Sequence, residues 1–495
     1  MRTGGFLAIL LLVAGLGGGV PLHAKVAEDV KGSLKTLTSI GDALNSPDHH
    51  PVHILYVHGI NAIGAGDSSL LRQSICTRLN LCQVSDWMNA GTEFADKREF
   101  ANGSSPPLLN YLGHAIWTDK DEWHAAAPFV VHWVIHLRNH PSVLIVDEVN
   151  WWPLVLALKC RNMVNSEAYL AGPNVSLLQV CSTQQKQDPG AEGRFYPWLS
   201  ETEANELAKK PAHAVLINRE LKNGLLDWGF SDAMLAVGPL GRLMRDGVRQ
   251  LIVKSVEFDP NGTGTTAPGA QKRRSYNWQE HLDSGRRLDQ EFIGVTHSLG
   301  SYLLFNTLSL ESDIPPVASA SNAATSSAQE DRTENALEDN AVAYVFQRTS
   351  LIYFFANQLS LLEFTNLEGP PAAASAANST AQSAAAQPSG TQPAPRFEQM
   401  VNRWAQYQSQ FQSSVHAGDE AARKKVQVVA WSDPSDLLTW RVPRIGEVDV
   451  LNFYVQNATH WFWLFESPTG AHDGYAKNKI VLRHMFLNPA HKDVQ

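Results

Sequence analysis

The segment Phe292-Ile293-Gly294-Val295-Thr296-His297-Ser298-Leu299-Gly300-Ser301 runs from a short apolar strand pattern into a tight turn. Tyr302-Leu303-Leu304-Phe305-Asn306-Thr307-Leu308 continues with helical spacing. Strand, turn with a serine at its tip, helix is the pattern of a nucleophile elbow, in which the strained turn lifts Oγ off the end of a sheet. Gly300 removes a side chain where the new helix must cross close to the strand, and Ser301 is small for the same reason. The pattern departs from Gly-x-Ser-x-Gly once, because Thr296 stands at its first glycine. The competing reading is an ordinary N-cap serine after a strand.

Upstream, His53-Ile54-Leu55-Tyr56-Val57 reads as a strand that ends in His58-Gly59-Ile60-Asn61. An apolar strand ending in His-Gly suits an oxyanion-hole loop, with the glycine turning the backbone so that the Ile60 amide faces a substrate oxygen. Asp67 is the expected cap of a helix over Ser68–Leu79. Phe129–Leu137 and Val143–Val149 read as a hairpin, and residues 85–127 between these elements read as a polar surface excursion. Leu216–Val256 carries helical spacing broken at Gly238-Pro239. Leu351–Ala356, Val426–Trp431 and Val448–Val455 read as further strands, Phe397 to Phe411 as an amphipathic helix, and Lys477–Phe486 as a closing helix.

Strands alternating with helices over 495 residues predict one α/β core enlarged by insertions. Residues 1–24 read as a signal peptide: Arg2, a short apolar run over Phe6–Val20, and Ala24 at the cut. That predicts a secreted or periplasmic protein, with an uncleaved N-terminal anchor as the alternative. Residues 25–150 form the N-terminal part of the core, and 151–290 a largely helical insertion that caps it. Residues 291–310 carry the nucleophile strand, elbow and helix. Residues 311–340 and 368–396 are low-complexity loops rich in Ala and Ser. Residues 341–367 hold a core strand, and 397–495 complete the core.

Net charge is −9, without a basic block, which argues against a nucleic-acid partner. Four cysteines in an exported chain allow two disulfides, Cys76–Cys82 and Cys160–Cys181 being the local pairing. His49, His50 and His53 cluster before the first strand and read as an exposed polar loop, with a metal site as the minor alternative. Asn102, Asn174, Asn261, Asn378 and Asn457 lie in glycosylation sequons.

The order Ser298, then an aspartate after a late strand, then a histidine after the last strand, resembles the α/β-hydrolase superfamily, in its esterase- and lipase-like members. The resemblance implies a mostly parallel sheet with helices on both faces and Ser298 as nucleophile. It implies the Leu299 and Ile60 amides as oxyanion hole. Asp433 and Asp436 compete as triad acid. Asp436 is preferred because Leu-Leu-Thr-Trp-Arg-Val-Pro after it resembles the acid loop of lipases; Asp433 would then cap a following helix. His472 is preferred as base over His460, from its place in a loop leading to the last helix. His297 borders the pocket or packs. The expected activity is cleavage of small-molecule or lipid carboxylic esters through an acyl-enzyme, with no metal or organic cofactor and with peripheral lipid contact open. Trp151, Trp152, Trp461 and Trp463 suit an apolar acyl or aryl group. Acyl transfer, amide cleavage, a binding protein without catalysis and a histidine-bound metal enzyme remain alternatives, as do oligomeric states.

Overall fold

Six buried residues, Val52–Val57, form β1, the strand on which the sheet is centred. The computed structural model describes residues 39–59, 66–95, 127–138, 140–155, 159, 230–238, 241–260, 289–309, 327–359, 362, 396–415, 426–436, 438–446, 448–457 and 468–487. The other strands are β2 (Trp87–Phe94), β3 (Phe129–His136), β4 (Val143–Asn150), β5 (Glu291–His297), β6 (Thr349–Phe355), β7 (Gln427–Ser432) and β8 (Asp449–Tyr454). They make one eight-stranded sheet in the order β2-β3-β4-β1-β5-β6-β7-β8. The β2–β3 and β3–β4 pairs are antiparallel, and every other pair is parallel. The fold is therefore α/β with a mostly parallel mixed sheet. Strands buried on both faces read as continuous apolar runs, which is why β1, β5, β6 and β7 were visible in the sequence.

Among the described residues the α-helices are α1 (Ile40–Leu44), α2 (Ser69–Thr77), α3 (Ser231–Val237), α4 (Gly241–Glu257), α5 (Gly300–Asn306), α6 (Ser327–Gln347), α7 (Arg396–Val415), α8 (Pro468–Asp473) and α9 (Lys479–Phe486). Alternation along β1 divides them between two cores. Leu55 and Val57 share one cluster with Val248 and Leu251 of α4, Phe305 of α5, Val345 of α6 and Trp404 of α7. Val52, Ile54 and Tyr56 share the other with Ile40 of α1, Ile75 of α2 and Met485 of α9. Each such side chain taken wholly out of water contributes about 1.5–3 kcal/mol. Polar anchors fix the helix positions: Trp404 Nε1 donates to the Thr349 carbonyl at 2.8 Å, and Arg249 on α4 pairs with Glu338 on α6 at 3.1 Å.

Four expectations need correction. Residues 87–94, inside the supposed surface excursion, are the edge strand β2, joined to β3 through a bulge between Asn89 and Gly91. Residues 327–340, assigned to a low-complexity loop, open the 21-residue helix α6. Its later turns bury Ala341, Val342, Tyr344 and Val345 against the sheet. His50 and His53 are buried rather than exposed: His50 Nε2 pairs with Glu291 at 3.3 Å and His53 Nδ1 with Asp147 at 2.7 Å. Asp147 also meets His132 Nδ1 at 2.6 Å. Burial raises its pKa, but the two imidazoles outweigh this and hold the carboxyl below its ordinary range. Finally, Ser68, not Asp67, is the N-cap of α2, and its own side chain caps nothing.

The N-terminus of α2 is capped instead by Glu148 of β4. Its carboxylate accepts from the amides of Gly66 (2.5 Å), Asp67 (3.0 Å) and Ser68 (3.4 Å) and from Ser68 Oγ (2.5 Å). A carboxylate on a helix N-terminus satisfies amides that have no intrahelical partner. It also ties the start of α2 to β4.

A Cys76–Cys82 disulfide ties the end of α2 to the segment leading to β2. Cys160, Cys181, residues 1–24 and residues 368–395 lie outside the described residues. No described helix is long and apolar enough to cross a membrane.

Glu148→Ala strands buried amides without an acceptor. It is expected to destabilise the protein by about 2–3 kcal/mol, read as a lower midpoint in urea unfolding, with Glu148→Gln in between. An unchanged midpoint in Glu148→Ala would show that water replaces the carboxylate without loss.

Candidate active site

The parallel strands β1, β5, β6, β7 and β8 present their carboxyl ends at one edge of the sheet, where ligand sites form in open α/β folds. Every described candidate lies there. Ser298 follows β5 directly, with φ of 53°. A non-glycine residue in the left-handed region costs on the order of 1–2 kcal/mol. Local hydrogen bonds hold it: Ser298 N–H donates to the Phe355 carbonyl at 2.7 Å, and Ser301 Oγ donates to the Ser298 carbonyl at 2.8 Å. The inversion turns the chain from strand to helix within one residue and starts α5 at Gly300.

Close approach explains the glycines. A Cβ on Gly300 would stand 2.1 Å from the Val57 carbonyl oxygen and 2.7 Å from that of His58. A Cβ on Gly59 would stand 2.6 Å from Ser298 Cβ. The end of β1 is thus pressed against the serine turn. Thr296, where a glycine was expected, is buried, and its Oγ1 donates to the Tyr353 carbonyl at 3.3 Å. The β-branched side chain fits because it points at β6 and not into the turn. Leu299 heads α5, so its amide belongs to the helix N-terminus. Ile60 lies outside the described residues.

Of the two competing acids, Asp436 meets His472: Nδ1 lies 2.9 Å from Oδ1 and 3.0 Å from Oδ2. Asp436 also accepts from the Leu438 amide at 2.9 Å and from the Tyr475 hydroxyl at 3.3 Å. Burial, then the Asp436 charge, push the Tyr475 pKa far up, so its hydroxyl keeps its proton. Asp433 caps none of the described helices. Its Oδ1 accepts from the Ser435 amide at 2.9 Å and its Oδ2 from the Asn457 amide at 2.6 Å. Asn457, one of the sequon asparagines, has its side-chain nitrogen committed to the Ala471 carbonyl at 2.8 Å, next to His472.

His472 sits in the six-residue helix α8, not in a loop. Its Nε2 is buried without a hydrogen-bond partner, and no hydrogen bond joins it to Ser298 Oγ. His460 lies outside the described residues, as do Trp461 and Trp463. His297 stands beside His472, with ring centroids 4.8 Å apart, and its Nε2 donates to the His472 carbonyl at 2.9 Å. Trp151 stacks on His58 at 4.8 Å and donates Nε1–H to the His58 carbonyl at 3.1 Å, bracing the end of β1.

Two contacts were not anticipated. Gln358, just past β6, donates from Nε2 to Ser298 Oγ at 2.7 Å. A lone glutamine after an apolar strand carries no sequence signal. The second is a possible donor set for a cation: His297, His472 and Asp473 place one ligand atom each within 4.8 Å of one another. His297 Nε2 is already used by the His472 carbonyl, which leaves only Nδ1 of that ring for an ion.

Burial, and then the His472 charge, depress the His297 pKa below its ordinary value. The unfolded chain therefore binds a proton that the folded protein refuses, and stability falls as the pH drops below about 6.5. His297→Gln, which can keep the donor to the His472 carbonyl, is expected to flatten the decline in melting temperature between neutral pH and pH 5. An equally steep decline in the variant would remove His297 as its cause.

Compared with protein-family models, curated proteins and solved structures, the chain matches none of them.

Proposed function

We propose that this protein is a serine hydrolase of α/β-hydrolase type that cleaves carboxylic esters. The observation that carries the reading is the combination of a left-handed Ser298 at a strand-to-helix turn with the His472–Asp436 pair on the same sheet edge. Neither part is needed for packing alone. An inverted serine is a steric cost, and a buried imidazole with an unpartnered Nε2 is a polar cost. Both costs make sense where a hydroxyl must attack and an imidazole must take its proton. The eight-stranded order, with β1 between β4 and β5 and helices on both faces, supports the same assignment.

In this reading Ser298 Oγ adds to the ester carbonyl carbon while its proton passes to His472 Nε2. Asp436, at Nδ1, fixes the tautomer that leaves Nε2 free and stabilises the imidazolium. The Leu299 amide, with an amide from the segment after β1, takes the oxyanion. His472 then returns the proton to the leaving alcohol, and water repeats the sequence on the acyl-enzyme. Transfer of the acyl group to another alcohol would use the same groups. The disulfide and the N-terminal sequence support export; Trp151, stacked on His58, supports an apolar acyl group.

One observation favours a second reading. Ser298 Oγ is hydrogen-bonded to Gln358 and not to His472, as suits a hydrolase-like fold used only for binding. Catalytic contacts that tighten only with substrate bound account for the same geometry.

Turnover of p-nitrophenyl esters of increasing acyl length decides between them. The wild-type protein is expected to hydrolyse them, with kcat lowered by on the order of 10⁵–10⁶-fold in Ser298→Ala or His472→Ala and about 10⁴-fold in Asp436→Asn. A folded wild type without turnover would leave the binding reading standing.

A further inference from the structure

Gln358 owes its position to a second inverted residue. Ala356, at the end of β6, has φ of 52°, nearly the value at Ser298 on the neighbouring strand. The chain then passes through Asn357, which is locked on several sides. Its side-chain nitrogen donates to the Trp440 carbonyl at 3.1 Å, its side-chain oxygen accepts from the Leu359 amide at 3.0 Å, and its own carbonyl accepts from Trp440 N–H at 3.0 Å. Ser301 Oγ, in α5, reaches the same Asn357 oxygen at 3.4 Å. The Gln358 carbonyl accepts from the Leu362 amide at 3.1 Å. The result is a buried side-chain amide held against the serine hydroxyl at 2.7 Å.

A donor on a resting nucleophile looks unhelpful, because it occupies a lone pair that must attack. Its value changes once attack begins. As the Oγ–C bond forms, the carbonyl π electrons move onto the carbonyl oxygen, which is bonded to the same carbon as Oγ. Oγ becomes a weakly accepting ester-type oxygen, and a full negative charge appears one atom further on. An N–H that was shared with Oγ then has a stronger acceptor within a small side-chain rotation. A hydrogen bond to an ionised acceptor is roughly twice as strong as one between neutral groups. The contacts of Asn357 and of the Gln358 carbonyl hold the Gln358 backbone, so the reorganisation is confined to that side-chain rotation.

We propose that Gln358 is a catalytic residue of the Ser298 site: its side-chain amide holds the serine hydroxyl in the free enzyme and becomes an oxyanion donor in the tetrahedral intermediate. It joins the backbone amide of Leu299, and its contribution is made in the transition state more than in the ground state. The inference rests on the hydrolase reading.

The test compares full-length wild type, Gln358→Ala, Gln358→Met and Ser298→Ala with p-nitrophenyl butyrate, and measures inhibition by phenylboronic acid, which forms a tetrahedral anion on serine. Both Gln358 variants are expected to lose about 10²-fold in kcat, with KM nearly unchanged. Phenylboronic acid inhibition should weaken in parallel, and the melting temperature should be retained. The methionine is close in size and carries no donor, so it decides the matter if the alanine variant folds poorly. If Gln358 only filled space, Gln358→Met would keep kcat and boronate affinity near wild type, and the inference would be overturned. A wild type with turnover abolished by Ser298→Ala but untouched by either Gln358 variant defeats this inference alone. A wild type without turnover defeats the hydrolase reading together with it.

Discussion

The inverted backbone at Ser298 is the constraint around which the rest is arranged. Without positive φ there, β5 could not hand over to α5 in one residue, and the hydroxyl would not stand clear of the sheet edge. The inversion demands that α5 start almost in contact with the end of β1. That is possible only because Gly300 offers no side chain to the Val57 and His58 carbonyls, and Gly59 none to Ser298. The strain is carried by what surrounds it: the Phe355 carbonyl on β6, the Ser301 hydroxyl on α5, and the two buried layers that clamp the strands. Local cost of this kind persists only where neighbours over-determine it.

The same logic extends along the carboxyl edge. β6 ends in its own inversion at Ala356, β7 leads into the Asp433–Asp436 turn, and β8 delivers Asn457. Tyr475 ties the turn after β7 to β6. Its hydroxyl accepts from the Asp433 amide at 2.7 Å and donates to Asp436, while its ring stacks on Phe355 of β6. Asp433, the acid that does not meet His472, therefore has a defined task. It fastens the end of β8 to the end of β7, and Asn457 in turn holds the carbonyl just before His472. Position at this edge is set by backbone amides and buried hydroxyls, and these are stiff.

The sequence was legible where burial on both sides imposes a plain pattern. β1, β5, β6 and β7 are apolar runs bounded by turn residues, and Phe397, Met400, Trp404 and Phe411 of α7 fall at helical spacing. It was illegible where a tertiary partner overrides local composition. β2, Trp87–Phe94, is half polar because it is an edge strand paired on one side only. Residues 327–340 look like spacer, and Glu338, in the fourth turn of α6, meets Arg249 almost ninety residues earlier. His50 and His53 look solvated until Glu291 and Asp147 arrive from distant strands. The inverted turn at Ser298 and the meeting of Asp436 with His472 were expected from turn chemistry and chain order, which carry a signal. Gln358 could not, since its contact with Ser298 follows the inversion at Ala356, two residues before it.

The central claim is that Ser298 is an activated nucleophile. Its most direct test is to treat the purified protein with a fluorophosphonate and locate the adduct by peptide mass spectrometry. The expected result is a single phosphonyl group on the peptide containing Ser298, formed only in folded protein. No adduct, or one on another residue with Ser298 unmodified, would contradict the claim.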